Sequence, residues 1–148
     1  MTDFELPDDL GFNRSPIADP EQFARGAGAA SWLFLCGEEW ASMEGGMSYA
    51  QVEQAVGQSE NIVADPPVEM DFALARRVID SLDRLPRPTL VTCRTGPRSS
   101  AMAYLYAGLR SGASAEDVLA AADADGAPFA GMDPLRGFVS RGLTELAD

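Results

Sequence analysis

The sequence predicts an α/β fold, a small parallel sheet with flanking helices, and three observations carry that prediction. Short apolar runs at 31–36, 61–64 and 89–92 read as buried strands, each separated from the next by residues at helical spacing. The third run ends on Cys93-Arg94-Thr95-Gly96-Pro97-Arg98-Ser99, after which Ala101, Met102, Leu105, Tyr106 and Leu109 recur at helical intervals. Beyond that helix the pattern stays helical. Strands that alternate with helices need right-handed crossovers, and so they pair in parallel.

Each element has its own local signal. Residues 1–18 hold Pro7, Gly11 and Pro16 and little periodicity, so they read as an extended arm, with one domain over 19–148. Asp19-Pro20-Glu21 supplies a cap, a first-turn proline and a first-turn acid for a short helix to about Arg25. Ser31-Trp32-Leu33-Phe34-Leu35-Cys36 is the strongest strand, and Cys36 at its end reads as core, with a resolving partner for Cys93 as the alternative. Residues 37–47 form an acidic, glycine-containing loop. Ser48 with Gln51 makes a capping box for a helix to about Val56. Asn61-Ile62-Val63-Ala64 is the second strand and Asp65-Pro66-Pro67 ends it. Asp71 caps a helix whose Leu74, Val78, Ile79 and Leu82 share one face. After the loop helix, Ser114 with Asp117 opens another helix, and Asp133-Pro134 opens the last.

Composition removes whole classes of function. There are 23 acids against 11 cations, every cation is arginine, and the net charge is −12. That balance argues against nucleic acid or an anionic membrane as partner. An anionic substrate has to be drawn in by a local field. With no histidine at all, Ser-His-Asp and Cys-His catalysis are excluded, as are His-based metal sites. No spaced carboxylate motif points to a metal, and no cofactor is expected. The acidic start Met1-Thr2-Asp3-Phe4-Glu5 does not read as a signal peptide, and no apolar run approaches membrane-spanning length. Two cysteines in such a chain fit a reduced, cytoplasmic protein.

The chemistry concentrates at Cys93. A thiol between a strand end and a helix start faces the orphan N–H groups and the positive end of the helix dipole. Arg98 and Arg94 add cationic charge close by, Gly96 permits a tight turn, and Pro97 suits the first helical position. In that field the thiolate is favoured and Cys93 becomes a nucleophile. A plain buried cysteine is the competing reading, but a loop with two arginines is a poor lining for an inert core thiol.

These residues resemble the catalytic loop of the cysteine-dependent phosphatase superfamily, and also that of rhodanese sulfurtransferases. The loop is most similar to that of a bacterial family of small phosphatase-fold proteins called beta-lactamase-hydrolase-like, which reads roughly Cys-Arg-Ser-Gly-Thr-Arg-Ser. With the element order, the resemblance extends over roughly residues 15–125. It implies a protein tyrosine or dual-specificity phosphatase-like fold, with Cys93 as nucleophile and Arg98 and Ser99 as catalytic partners. Arg94, Thr95, Gly96 and Pro97 then become the substrate-binding loop. Tyrosine phosphatases place five residues between Cys and Arg and usually a His before the Cys. This chain has four, Arg94 to Pro97, and Thr92 in the His position. Four is the spacing of many rhodaneses. The phosphatases also use an aspartic acid to protonate the leaving oxygen, for which Asp65 and Asp71 are the candidates.

The resulting expectation is a cysteine-dependent enzyme acting on a small anionic substrate. Sulfur transfer through a Cys93 persulfide comes first, with a sulfane-sulfur donor and an acceptor thiol. A phosphatase acting on a phosphoester or phosphotyrosine comes second. A non-catalytic anion- or partner-binding module is the third reading.

Overall fold

The computed structural model describes residues 4–44, 46–64 and 68–147. Four strands form one sheet: β1 (Leu10–Phe12), β2 (Ser31–Phe34), β3 (Gln58–Asn61) and β4 (Thr89–Thr92). Their order is β1-β4-β2-β3 and all three pairings are parallel. The helices are α1 (Pro20–Gly26), α2 (Glu38–Ala41), α3 (Tyr49–Ala55), α4 (Phe72–Arg84), α5 (Pro97–Ser111), α6 (Ala115–Asp125) and α7 (Asp133–Glu145). The α/β class and the parallel sheet are as the sequence predicts.

The core follows from strand burial on both faces and from one enclosed helix. Both β2 and β4 are buried at every residue, as parallel strands between helices must be. In α5 every residue from Ser99 to Gly108 is buried, so this helix is lined by protein all round. Its neighbour α7 comes close because Gly142 stands where a Cβ would lie 2.9 Å from Leu105 Cδ1. The caps fall where local chemistry puts them. Asp19, Ser48, Asp71 and Ser114 each accept a backbone N–H three residues on.

Three expectations are corrected. The arm read over 1–18 is not separate, because Leu10–Phe12 pairs in register with Thr89–Val91 as an edge strand. The second strand lies at Gln58–Asn61, not 61–64. It is a half-exposed polar edge strand, held by its backbone pairing to Ser31–Phe34. The loop at 37–47 contains the short helix α2, whose Trp40 is buried against Phe34.

The topology sets the site. Phe12 pairs with Val91 and Phe34 with Thr92, so Asn13, Leu35 and Cys93 all leave the sheet at its carboxyl edge. Open α/β sheets bind ligands at that edge.

Candidate active site

Cys93 is the first residue after β4, 5% exposed, with the N-terminus of the fifteen-residue α5 directly behind it. Three donors converge on its sulfur. Gly96 N–H donates at 3.2 Å, Ser99 N–H at 3.4 Å and Ser99 Oγ at 3.4 Å. A neutral thiol has little use for three donors, whereas a thiolate is stabilised by each. The orphan amides of the helix start are thus spent on one sulfur atom rather than on water.

The loop takes this shape for local reasons. Gly96 is the helix N-cap with φ +111°, a conformation that L side chains rarely adopt. A Cβ there would run into the Asn13 carbonyl and lie 2.9 Å from Pro128 Cγ. Pro97 occupies the first helical position, as predicted. Ser100 Oγ accepts from Phe129 N–H at 3.2 Å and donates to the Pro97 carbonyl at 3.0 Å. The segment before α7 is therefore tied to the first turn of α5.

The residues named from the sequence are distributed as follows. Cys93, Gly96 and Ser99 meet in one buried cluster. Thr95 is exposed on the loop's outer side and Pro97 is half-buried. Arg94 reaches across to the α2–α3 connection, where its Nη1 lies 3.8 Å from Met43 Sδ. Arg98 is directed elsewhere than the sulfur. Its Nη1 donates to the Ala64 carbonyl and, at 2.7 Å, to the Val68 carbonyl. It thereby ties the loop to the chain on either side of 65–67. Asp71 is exposed and serves as the cap of α4, accepting from Leu74 N–H at 2.8 Å. Asp65 lies outside the described residues. Thr92 is buried and accepts from the Trp32 indole N–H at 2.8 Å, so its hydroxyl belongs to the core. Cys36 is 1% exposed, and neither it nor Cys93 is in a disulfide.

One residue of the site was not anticipated. Asn13, 1% exposed, grips the peptide groups of Cys93. Its Nδ2 donates to the Cys93 carbonyl at 2.8 Å, and its Oδ1 accepts from Cys93 N–H at 3.1 Å and Ser99 Oγ at 3.0 Å. An asparagine after an unrecognised edge strand carries no sequence signal of its own. Only a Cys-loop already known to need a brace, and β1 already placed, would have pointed to it. Among the described residues no group of His, Cys, Asp or Glu is arranged to hold a metal. No helix there is long and apolar enough to cross a membrane.

No protein-family model matches the sequence, and no curated protein matches it. Solved structures do match. A "putative phosphatase" from Neisseria meningitidis is 18% identical, with a TM-score of 0.70 over 96% of this chain and 99% of that one. A second, from Shewanella putrefaciens, is 20% identical with a TM-score of 0.68 over 97% and 87%. The fold is phosphatase-like. The core catalytic domain of a PP-IP phosphatase from S. cerevisiae, solved with citrate, has the same architecture at 13% identity. Its TM-score is 0.61, over 98% of this chain and 84% of that domain. Identities this low speak for the fold alone. Among the described residues only helices, α5 to α7, follow the loop.

Proposed function

We propose that this chain is a cysteine-dependent phosphatase acting on a phosphomonoester through a Cys93 phosphocysteine. The observation that carries the proposal is the convergence of Gly96 N–H, Ser99 N–H and Ser99 O–H on one buried sulfur at the start of α5. The phosphatase-like fold supports it, and so reverses the order of readings drawn from loop length. In the first step the Cys93 thiolate attacks phosphorus. The S–P bond forms, the P–O bond to the alcohol breaks, and the departing oxygen takes a proton. In the second, water attacks phosphorus and returns a proton to the carboxylate left by the first step, the S–P bond breaks, and inorganic phosphate is released from the Cys93 thiolate. Ser99 is placed to donate to that departing thiolate. The loop amides and the α5 dipole take up charge on the phosphoryl oxygens.

For the acid, Asp65 is favoured over Asp71. Asp71 is committed to its cap, whereas Asp65 follows Ala64, whose carbonyl Arg98 holds. Arg98 in this reading joins the nucleophile loop to Ala64 and Val68.

Sulfur transfer remains as a second reading on one observation. With four residues between Cys93 and Arg98, the arginine turns to backbone carbonyls and the donors focus on the sulfur itself. That arrangement also suits a persulfide, whose transfer needs no acid.

The test sets both substrates against wild type, Cys93→Ser, Asp65→Asn and Asp71→Asn. Wild type should hydrolyse aryl phosphates and trap a phosphocysteine, with Cys93→Ser at background. Asp65→Asn should lose activity most on poor leaving groups, while Asp71→Asn, which keeps the cap, should match wild type. A Cys93 persulfide from thiosulfate with no phosphate release would establish the second reading instead.

A further inference from the structure

Asn13 sits on β1's exit, opposite the loop in sequence but against it in space, and its carboxamide has no freedom to flip. Cys93 N–H can only donate and Cys93 C=O can only accept, and they flank the amide at 3.1 and 2.8 Å. This orientation turns Oδ1 towards Ser99. The Ser99 hydroxyl is fully buried and has one proton, with three acceptors within reach: Asn13 Oδ1 at 3.0 Å, Gly96 O at 3.2 Å and Cys93 Sγ at 3.4 Å. A buried hydroxyl that loses its acceptor is costly, so it must have somewhere to donate in every state of the sulfur.

We propose that Asn13 is a positioning residue of the Cys93 centre, holding the nucleophile's backbone and giving Ser99 a resting acceptor. When the sulfur is charged, the Ser99 proton points to Sγ. When the sulfur is neutral or covalently occupied, the proton turns to Asn13 Oδ1. The oxygen stays where it is and only the hydroxyl rotates, so thiolate stabilisation needs no loop movement. Asn13 further ties the loop through Nδ2 to the Ser15 carbonyl at 3.0 Å and the Arg94 carbonyl at 3.4 Å. This role rests on Cys93 being the reactive thiol, and not on whether phosphate or sulfur is transferred.

Asn13→Asp separates the two contributions. A carboxylate still accepts from Cys93 N–H, but it cannot donate to Cys93 O. It captures the Ser99 proton and sets a negative charge beside the sulfur. The experiment measures the rate of iodoacetamide alkylation at Cys93, mapped by mass spectrometry on the full chain at neutral pH. It uses wild type, Asn13→Asp, Ser99→Ala and the double variant. Each single variant should slow alkylation about tenfold, the size of one charge-assisted hydrogen bond. The double variant should be slowed by less than the product of the singles. The part of the Asn13→Asp effect that comes from capturing the Ser99 proton vanishes once Ser99 is alanine, while the part due to the added charge remains. An unchanged rate in folded Asn13→Asp, or a double variant slowed by the product of the singles, overturns the proposal. If Asn13→Asp does not fold, Asn13→Ala replaces it, removing the donation to Cys93 O and the acceptor of Ser99 without adding a charge. Alkylation should still slow, and an unchanged rate in the folded variant overturns the proposal. In turnover the effect should fall on kcat with KM unchanged, as Asn13 is buried beneath the loop. If no phosphate is ever released, the alkylation cycle still decides the role of Asn13.

Discussion

Strand β4 begins and ends in polar networks rooted in buried residues, and the two differ in what they leave over. At its amino end Thr89 Oγ1 bonds to Ser31 Oγ at 2.8 Å, to the Pro86 carbonyl at 3.0 Å and to Arg87 Nη1 at 3.1 Å. Arg87 continues to Tyr106 OH, and Tyr106 to Asp83, which Arg110 holds at 2.5 Å. Each hydroxyl there meets a protein acceptor. At the carboxyl end the Gly96 and Ser99 N–H groups are aimed at one sulfur, and the Ser99 hydroxyl has that sulfur among its three acceptors. A closed network is a staple, and an over-supplied one is a site prepared for charge that has yet to arrive.

The largest expected break in this contrast is Gly96→Ala. The φ of +111° and the close Asn13 carbonyl leave no room for a side chain, so the turn must shift and the amide of residue 96 must leave the sulfur. We expect kcat/KM to fall by about a hundredfold, the cost of displacing a reacting group by about 1 Å. Backbone strain should cost about 1–3 kcal/mol of stability as well. Steady-state kinetics beside a thermal melt checks both. Near-native kcat/KM would mean that the positive φ is not what aims the donors.

Thr89→Val breaks the other end and should reverse the balance. The hydroxyl is 1% exposed, and its loss removes one partner each from Ser31 and Arg87. Stability should drop by about 1–3 kcal/mol, with turnover per folded molecule unchanged. For a domain of this size that is about 2–4 °C in Tm per kcal/mol. A loss of kcat without a loss of Tm would show that the two ends of β4 are not independent.

Which parts of this contrast were legible in the sequence follows from how far each contact reaches. The caps at Asp19, Ser48, Asp71 and Ser114, and the turn at Gly96-Pro97, rest on partners within a few residues, and all appear where the sequence predicts them. Asn13 meets Cys93 and Ser99 across 80 and 86 residues, and nothing local marks it. Arg98 looked like an anion ligand because it stands in the loop. Its carbonyl partners lie 34 and 30 residues upstream. Strand β1 spans three residues between breakers, too few to show alternation, and β3 is a polar edge strand whose pairing is made by backbone.

The smallest expected effect is electrostatic and belongs to the closed end. Hydrogen bonding from Arg110 is the main influence holding the Asp83 carboxyl below the usual range; burial opposes it, and the Tyr106 hydroxyl adds to the lowering. As pH falls, the unfolded chain therefore takes up this proton before the folded one does. The contribution is present above the unfolded carboxylate value of about 3.9 and is lost as pH falls through the lower folded value. Asp83 and Arg110 are 42% and 45% exposed, so solvent screens the pair and its worth stays below about 1 kcal/mol. Asp83→Asn keeps an acceptor for Tyr106 and removes the charge. Urea midpoints should place the variant slightly below wild type at pH 7, with the gap closing at pH 3 and shrinking in 1 M salt. Activity at pH 7 should be the same for both. A gap that widens on acidification would mean that the network is held by shape and hydrogen bonding alone, with the charge on Asp83 working against it.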